Sequence, residues 1–292
     1  MLKVEGIMTA MVTPFKDGGV DLEAMKTMTR RQLDAGVHGL VPLGSTGEAA
    51  TINFEERAEI IKLVVSEVAG QVPVIVGAGT SATSTTIPLV QQAKDLGADG
   101  ALVVTPAYVK PTAIGLVGHY TEIVKACDFP LVAYSVPGRT GLNVTPDMAM
   151  MLAKIDGVVG MKEASGNMAQ VIKSIHKTKG MWSFMSGEDL LLLSTLVAGG
   201  DGLICVTSNV APKMVCDVYN LFKAGKIAEA SKASDKLVEL MSSMFCSTNP
   251  LPVKEACTML GLCQNETRLP LMPLEDEFLP TVKNALKGVG LL

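Results

Sequence analysis

The sequence predicts an α/β chain of the (β/α)8 TIM-barrel class with a helical appendage at its C-terminal end. Three observations predict it. Short apolar runs alternate with helical stretches in a unit of roughly thirty residues, the length of a βα module. The apolar runs are near-continuous, as parallel strands covered by helices should be. The joins from helix to strand also repeat, as Ala35-Gly36-Val37-His38-Gly39, Leu96-Gly97-Ala98-Asp99-Gly100 and Gly199-Gly200-Asp201-Gly202. Eight such units favour a barrel over an open doubly wound sheet.

The elements follow in order. Residues 7–12 are an apolar strand, turned by Asp17-Gly18-Gly19. Asp21 can cap a helix to about Ala35, and Gly36 suits the left-handed stop after it. Residues 39–43 form the second strand. Asn53 with Glu56 makes a capping-box variant, and Phe54, Ala58, Ile61, Val65 and Val68 give that helix one apolar face. Strands at 73–78, 100–104 and 130–135 are separated by helices at about 84–96 and 112–127. Thr145-Pro146 supplies an N-cap with proline at the first helical position. Strands at 158–162, 182–185 and 202–206 are followed by helices at about 167–178, 188–198 and 211–223. The pattern breaks after residue 224. Residues 1–224 are therefore read as the barrel, and 225–292 as a helical domain packed on it, with helices at about 228–244, 252–260 and 275–286.

Composition narrows the function. The chain has 292 residues, 48% hydrophobic and 18% charged, enough for a large core. Net charge is −4 with a pI near 5.5, and no Lys/Arg block is present, which argues against nucleic acid. No apolar stretch approaches the ~18 residues that span a bilayer, so no membrane partner is expected. The start, MLKVEGIMTAMVTPF, lacks the features of a signal peptide. The six cysteines are scattered without a CxxC pair and read as reduced core residues, so a cytoplasmic protein is expected. The three histidines have no second ligand at metal spacing, so neither a metal nor another cofactor is expected.

The barrel directs attention to the C-terminal strand ends, where active sites of this fold sit. The unusual run is Val158-Val159-Gly160-Met161-Lys162-Glu163-Ala164-Ser165-Gly166. It delivers a lysine to the end of an apolar strand. Desolvation disfavours the ammonium form and frees a nucleophilic amine, suited to a Schiff base with a ketone or aldehyde. The same position also suits a lysine that snorkels to water or pairs with a carboxylate. The run alone leaves both readings open. Gly44-Ser45-Thr46-Gly47 can offer N–H groups and two hydroxyls to an anion, or serve as a tight turn. Tyr108 and Tyr134, two of only four tyrosines, end adjacent strands; each suits either packing or chemistry. Arg139, in a Gly-flanked loop, suits a surface ion pair or a bidentate carboxylate clamp.

Taken together, the segments GSTGEAAT, VTPAYVKP, YSVPGRTG, MKEASG, SGED, GLICVTSN and NPLPVK resemble the dihydrodipicolinate synthase family. That family belongs to the pyruvate-dependent class I aldolases, with N-acetylneuraminate lyase. The resemblance covers nearly the whole chain in order and spacing. It implies that Lys162 forms the Schiff base and that Tyr134, Ser45 and Tyr108 form a proton relay. It further implies that Thr46 holds the carboxylate of pyruvate and that Arg139 holds that of L-aspartate 4-semialdehyde. Gly187 and Ile204 match site-lining positions. Ser45 replaces a threonine common in the family and keeps the hydroxyl. Tyr108 would act in a neighbouring subunit, so a homotetramer of tight dimers is implied. Ala107, where relatives often carry an aromatic, departs from the pattern at that interface.

Two other readings share parts of this evidence. Another pyruvate-dependent aldolase, acting on a sugar acid or hydroxy-oxo acid, would keep Lys162 and Tyr134. The Arg139-Thr140-Gly141 loop suits a short anionic aldehyde better than a polyol. A catalytically silent scaffold or sensor barrel would have no need of the lysine, both tyrosines and the hydroxyls together. The resemblance also locates the cleft where some relatives bind inhibitory L-lysine. There this chain carries Phe54, Arg57, Ser81, Thr85 and Ala107, without the carboxylate that would pair the ligand's amines.

Overall fold

The computed structural model describes residues 2–292. Eight strands form one sheet: β1 (Gly6–Ala10), β2 (Gly39–Val41), β3 (Ile75–Gly77), β4 (Gly100–Val104), β5 (Leu131–Ser135), β6 (Val158–Glu163), β7 (Ser183–Ser186) and β8 (Gly202–Cys205). Their order is β2-β1-β8-β7-β6-β5-β4-β3. The registered pairs are parallel, and helices intervene along the chain, which is the (β/α)8 barrel arrangement expected. Two compact units divide the chain, one containing Pro73–Ile204 with the residues up to Gly6, the other Ile7–Val72 with Cys205–Leu292.

In the first unit, β4 to β7 pair side by side in parallel. Tyr134 on β5 pairs with Lys162 on β6, and Glu163 pairs with Ser186 on β7. Almost every residue of these strands is buried, which explains their continuous apolar sequence. The glycine that closes one helix-to-strand join has a steric reason. A Cβ on Gly202 would lie 2.0 Å from the Gly6 carbonyl oxygen, so no side chain fits.

His119, on the helix Ala113–Cys127, is also buried in this unit. Its Nδ1 lies 2.9 Å from Thr83 Oγ1, and its ring meets Tyr120 edge-on with centroids 5.3 Å apart. Burial lowers its pKa to about 4. The unfolded chain takes up this proton near pH 6.5, so between about 6.5 and 4 it binds more protons than the folded chain. The contribution is complete above 6.5 and is lost as pH falls toward 4. A loss on the order of 2 kcal/mol is expected after allowing for solvent screening. Urea melts from pH 7 to 4 check this. His119→Phe should flatten the slope, and an unchanged slope would assign it to other groups.

In the second unit, β1 pairs with β2 through Met8 and Gly39, Thr9 and Leu40, and Ala10 and Val41. Asp21 accepts from Ala24 N to cap the helix Leu22–Asp34, and Gly36 at φ 77° follows it. Asn53 and Glu56 form the capping box of the helix Phe54–Val68. Asn209 fastens the end of β1. Its Oδ1 accepts from Val12 N at 3.1 Å, and its Nδ2 donates to Ala10 O and Val206 O, each at 2.8 Å.

Four local expectations change. The helix expected at 275–286 is a 3-10 turn, Asp276–Phe278, and a helix, Leu279–Gly288. The turn near Asp17 is a small hairpin, Phe15–Lys16 against Gly19–Val20. The helix expected at 188–198 is a 3-10 turn, Asp189–Leu191, and a short helix, Leu192–Val197. The helix expected at 228–244 is two, Ile227–Asp235 and Val238–Ser243. Its break follows Ser231, Ser234 and Asp235, residues whose side chains compete for backbone hydrogen bonds.

Candidate active site

Lys162 lies one residue from the end of β6 and is 5% exposed. Its Nζ sits 4.5 Å from the centroid of the Tyr134 ring, brought there by the direct register of the two strands. Among the described residues, Nζ makes no hydrogen bond and no ion pair within 4.0 Å. Neither snorkelling to water nor pairing with a carboxylate describes this lysine. It is a buried amine lying over a tyrosine ring, itself 7% exposed.

Gly187 makes room for that amine. Its N–H donates to Glu163 O at 2.6 Å, which seals the turn after β7. A Cβ at this position would lie 2.7 Å from Ala164 Cβ and 2.8 Å from Lys162 Cε. The lysine chain could swing away, but Ala164 is held by the backbone. Gly187→Ala is therefore expected to fold and to misplace Nζ, lowering kcat/KM by about a hundredfold, the scale of an ångström-level misplacement. Steady-state kinetics with a melting curve check this. Wild-type kcat/KM in a folded variant would show that the site tolerates the methyl group.

Two carboxyls, Glu163 and Glu188, directly follow Lys162 and Gly187 in the chain. Glu163 is buried, accepting from Ser165 N at 3.2 Å and Gln170 Nε2 at 2.9 Å through Oε1, while Oε2 has no partner. Burial raises its pKa. Burial, then Asp189, raises that of Glu188, and Lys162 opposes the shift. Both carboxyls hold their protons to higher pH than ordinary ones. Gln170 also exchanges two hydrogen bonds with Asn143, at 2.8 and 3.0 Å, and so ties the strand of Lys162 to the loop that follows β5.

That loop carries Arg139. Residues Pro137–Thr140 form one helical turn, ended by Gly141 at φ 72°. Thr140, 3% exposed, fixes the turn from within: its Oγ1 accepts from Leu142 N at 3.2 Å and from Thr105 Oγ1 at 3.3 Å. Arg139 itself is exposed on this turn. Tyr108 is also exposed, at 92%, with φ 70°. Ile204 is fully buried on β8. The first unit thus brings Lys162, Tyr134 and Gly187 together, and leaves Tyr108 pointing into solvent.

Ser45 and Thr46 belong to the second unit. Their loop is compact: Gly47 N donates to Gly44 O at 3.1 Å, and Glu48 N to Ser45 O at 3.2 Å. It is bracketed by Leu43 at φ 60° and Glu48 at φ 53°, non-glycine residues in the left-handed region. A Cβ on Gly47 would lie 3.0 Å from Met11 O, so the loop packs backbone to backbone. Ser45 is half-buried and Thr46 buried. Asn249 donates to Thr46 Oγ1 at 3.0 Å. Sequence reasoning gave Asn249 no role, although it heads the NPLPVK segment. Among the described residues no cluster of His, Cys, Asp and Glu could hold a metal ion, and no helix is long and apolar enough to cross a membrane.

Known proteins share this arrangement along its length. The model of the dihydrodipicolinate synthetase family matches residues 3–289. A 4-hydroxy-tetrahydrodipicolinate synthase of Thermotoga neapolitana is 47% identical over 291 residues, spanning 98% of this chain and 99% of the relative. The crystal structure of dihydrodipicolinate synthase from Thermotoga maritima has a TM-score of 0.97 at 44% identity, covering 99% of each chain. That of a chloride-inhibited dihydrodipicolinate synthase from Acinetobacter baumannii, complexed with pyruvate, has a TM-score of 0.97 at 38% identity, covering 99% of this chain and 100% of the other. With the family model, the sequence relatives and the solved structures all matched over almost every residue, the chain belongs to the dihydrodipicolinate synthetase family.

Proposed function

We propose that this chain is a lyase that condenses pyruvate with L-aspartate 4-semialdehyde to give 4-hydroxy-tetrahydrodipicolinate, in lysine and diaminopimelate biosynthesis. Beyond family membership, one observation carries the reading: Lys162 is a buried amine without an ion pair among the described residues, set against Tyr134. Lys162 attacks the keto carbon of pyruvate, and water leaves to give an imine. A proton is removed from the methyl group, and the enamine attacks the aldehyde carbon of the second substrate. The amino group of that adduct attacks the former keto carbon, closes the ring and releases Lys162. The protonated imine is the electron sink as the methyl proton leaves, and the aldehyde oxygen takes the electron pair, and a proton, when the enamine attacks.

Each step moves protons, and Tyr134, Ser45 and Tyr108 are the proposed relay. Thr46 and neighbouring N–H groups hold the pyruvate carboxylate, and Arg139 that of the aldehyde. Gly187 and Ile204 line the site. The exposure of Tyr108 supports its acting in a second copy of the chain, within a homotetramer of tight dimers. A cytoplasmic location completes the reading.

Product formation from pyruvate with a series of aldehydes tests it. Turnover with L-aspartate 4-semialdehyde and not with sugar-derived aldehydes is expected. Preference for a sugar aldehyde would make the chain another pyruvate aldolase, and no turnover a silent barrel.

The same assay answers the regulatory question. Thr85 engages its own loop, with its Oγ1 2.6 Å from Thr80 Oγ1, and brings no carboxylate for a ligand ammonium. Arg57 is a buried cation, its pKa lowered to about 10 by burial. Loss of a buried charge partner costs about 3–5 kcal/mol, more than a hundredfold in affinity. Activity is expected to be insensitive to L-lysine in the millimolar range. Saturable inhibition with a midpoint below about 1 mM would refute this.

A further inference from the structure

Among the described residues two lysines are buried, and the proposed chemistry uses only Lys162. The other, Lys254, lies on the helix Leu251–Met259. Its side chain has no exposed surface, and neither has that of Glu48, its ion-pair partner. Lys254 Nζ lies 4.1 Å from the Phe15 ring centroid, and the Arg268 guanidinium lies 4.4 Å from it. The backbone N–H of Arg268 donates to Glu48 Oε2 at 3.3 Å. Its guanidinium donates to Thr51 O at 3.1 Å and Glu56 Oε2 at 2.8 Å. Burial lowers the Lys254 pKa, while Glu48 opposes the shift.

A pair so dry is a poor way to gain stability alone. Removing both charges from water is costly, and apolar residues of similar volume often serve a fold as well or better. What this pair supplies is a fixed position. Glu48 follows Ser45, Thr46 and Gly47 directly, and it holds a strained left-handed backbone, φ 53°. At the head of the same C-terminal segment, Asn249 grips the Thr46 hydroxyl. The loop is thus held at its middle and at its end by side chains from one stretch of chain.

We propose that the Glu48–Lys254 pair, acting with Asn249, positions the Gly44–Glu48 loop for binding the carboxylate of the 2-oxo acid substrate. The proposal rests on the reading above that Thr46 binds that carboxylate. Neither member of the pair touches substrate. Lys254 acts through Glu48, and Glu48 through the backbone it shares with Thr46.

The test compares Glu48→Gln/Lys254→Met with Lys254→Met and Thr46→Val. Lys254→Met leaves Glu48 a buried charge without its ammonium and is expected to melt early. The double variant removes both charges, keeps the volume and an acceptor for Arg268, and is expected to melt near the wild type. Its KM for pyruvate is nevertheless expected to rise about tenfold or more, with the KM for L-aspartate 4-semialdehyde within about twofold. Asn249→Ala is expected to raise the pyruvate KM in the same direction. A folded double variant with wild-type pyruvate KM would overturn the proposal and make the pair a structural staple. Thr46→Val separates that failure from failure of the underlying reading. A raised pyruvate KM there, beside an unchanged one in the double variant, defeats the pair alone. An unchanged KM in Thr46→Val defeats the assignment of the Thr46 hydroxyl to the carboxylate, and the pair's proposed role with it.

Discussion

Borohydride added to the enzyme with pyruvate is expected to lock a single covalent adduct onto Lys162, and Lys162→Ala is expected to lose activity by about 10⁴-fold or more. The chain has other lysines, so the expectation needs a physical reason for one winner. The amine must be reachable, undirected by a carboxylate and shielded from bulk water. Lys162 lies one residue from the end of a buried strand, faces the Tyr134 ring and, among the described residues, has no ion-pair partner. Lys254 is more deeply buried, but Glu48 holds its ammonium. Lys3, Lys177 and Lys213 pair with carboxylates at the surface. Peptide mapping after reduction reads the result directly. An adduct mapped to any other lysine, or no adduct, would end the Schiff-base reading.

Arg139→Ala is expected to separate the two substrates. Removing a desolvated bidentate contact to a carboxylate costs on the order of 2–4 kcal/mol, or about thirty- to a thousandfold in kcat/KM. The loss should fall on L-aspartate 4-semialdehyde, with imine formation from pyruvate left close to wild type. Thr140 and its hydrogen bonds fix the turn from inside, and Arg139 is exposed on it. The turn is therefore expected to persist in the variant. Equal damage to pyruvate trapping would assign Arg139 to the first substrate or to the loop itself.

Signals that act over a few residues were legible in the sequence. The expected caps Asp21, Asn53 and Thr145 all accept from backbone N–H groups at helix starts, because a cap needs only its own next turn. The strand of Lys162 announced itself by an apolar run with one charge near its end. The helix expected at 228–244 failed because apolar spacing continues across a break that weak propensities permit. The hairpin at Phe15–Val20 was too short to show alternation. Within the site, what escaped was long-range. Asn249 meets Thr46 from 203 positions away, and nothing near either residue signals the other. The Glu163–Gln170–Asn143 chain was equally silent, since polar residues after a strand read as ordinary loop.

The division of the chain bears on how its gene can be recombined. The unit that contains Glu48 is assembled from two separate stretches, with most of the other unit encoded between them. Any single crossover with a related gene between codons 73 and 204 takes the two stretches from different parents. Glu48 and Lys254, 206 positions apart, would then come from different ancestors. A hybrid survives such an exchange only if both parents carry the same charges in the same places. Two crossovers that exchange the middle stretch alone keep the pair within one lineage. Libraries of chimaeras built on this chain should therefore yield more active members from middle-segment swaps than from single-junction swaps.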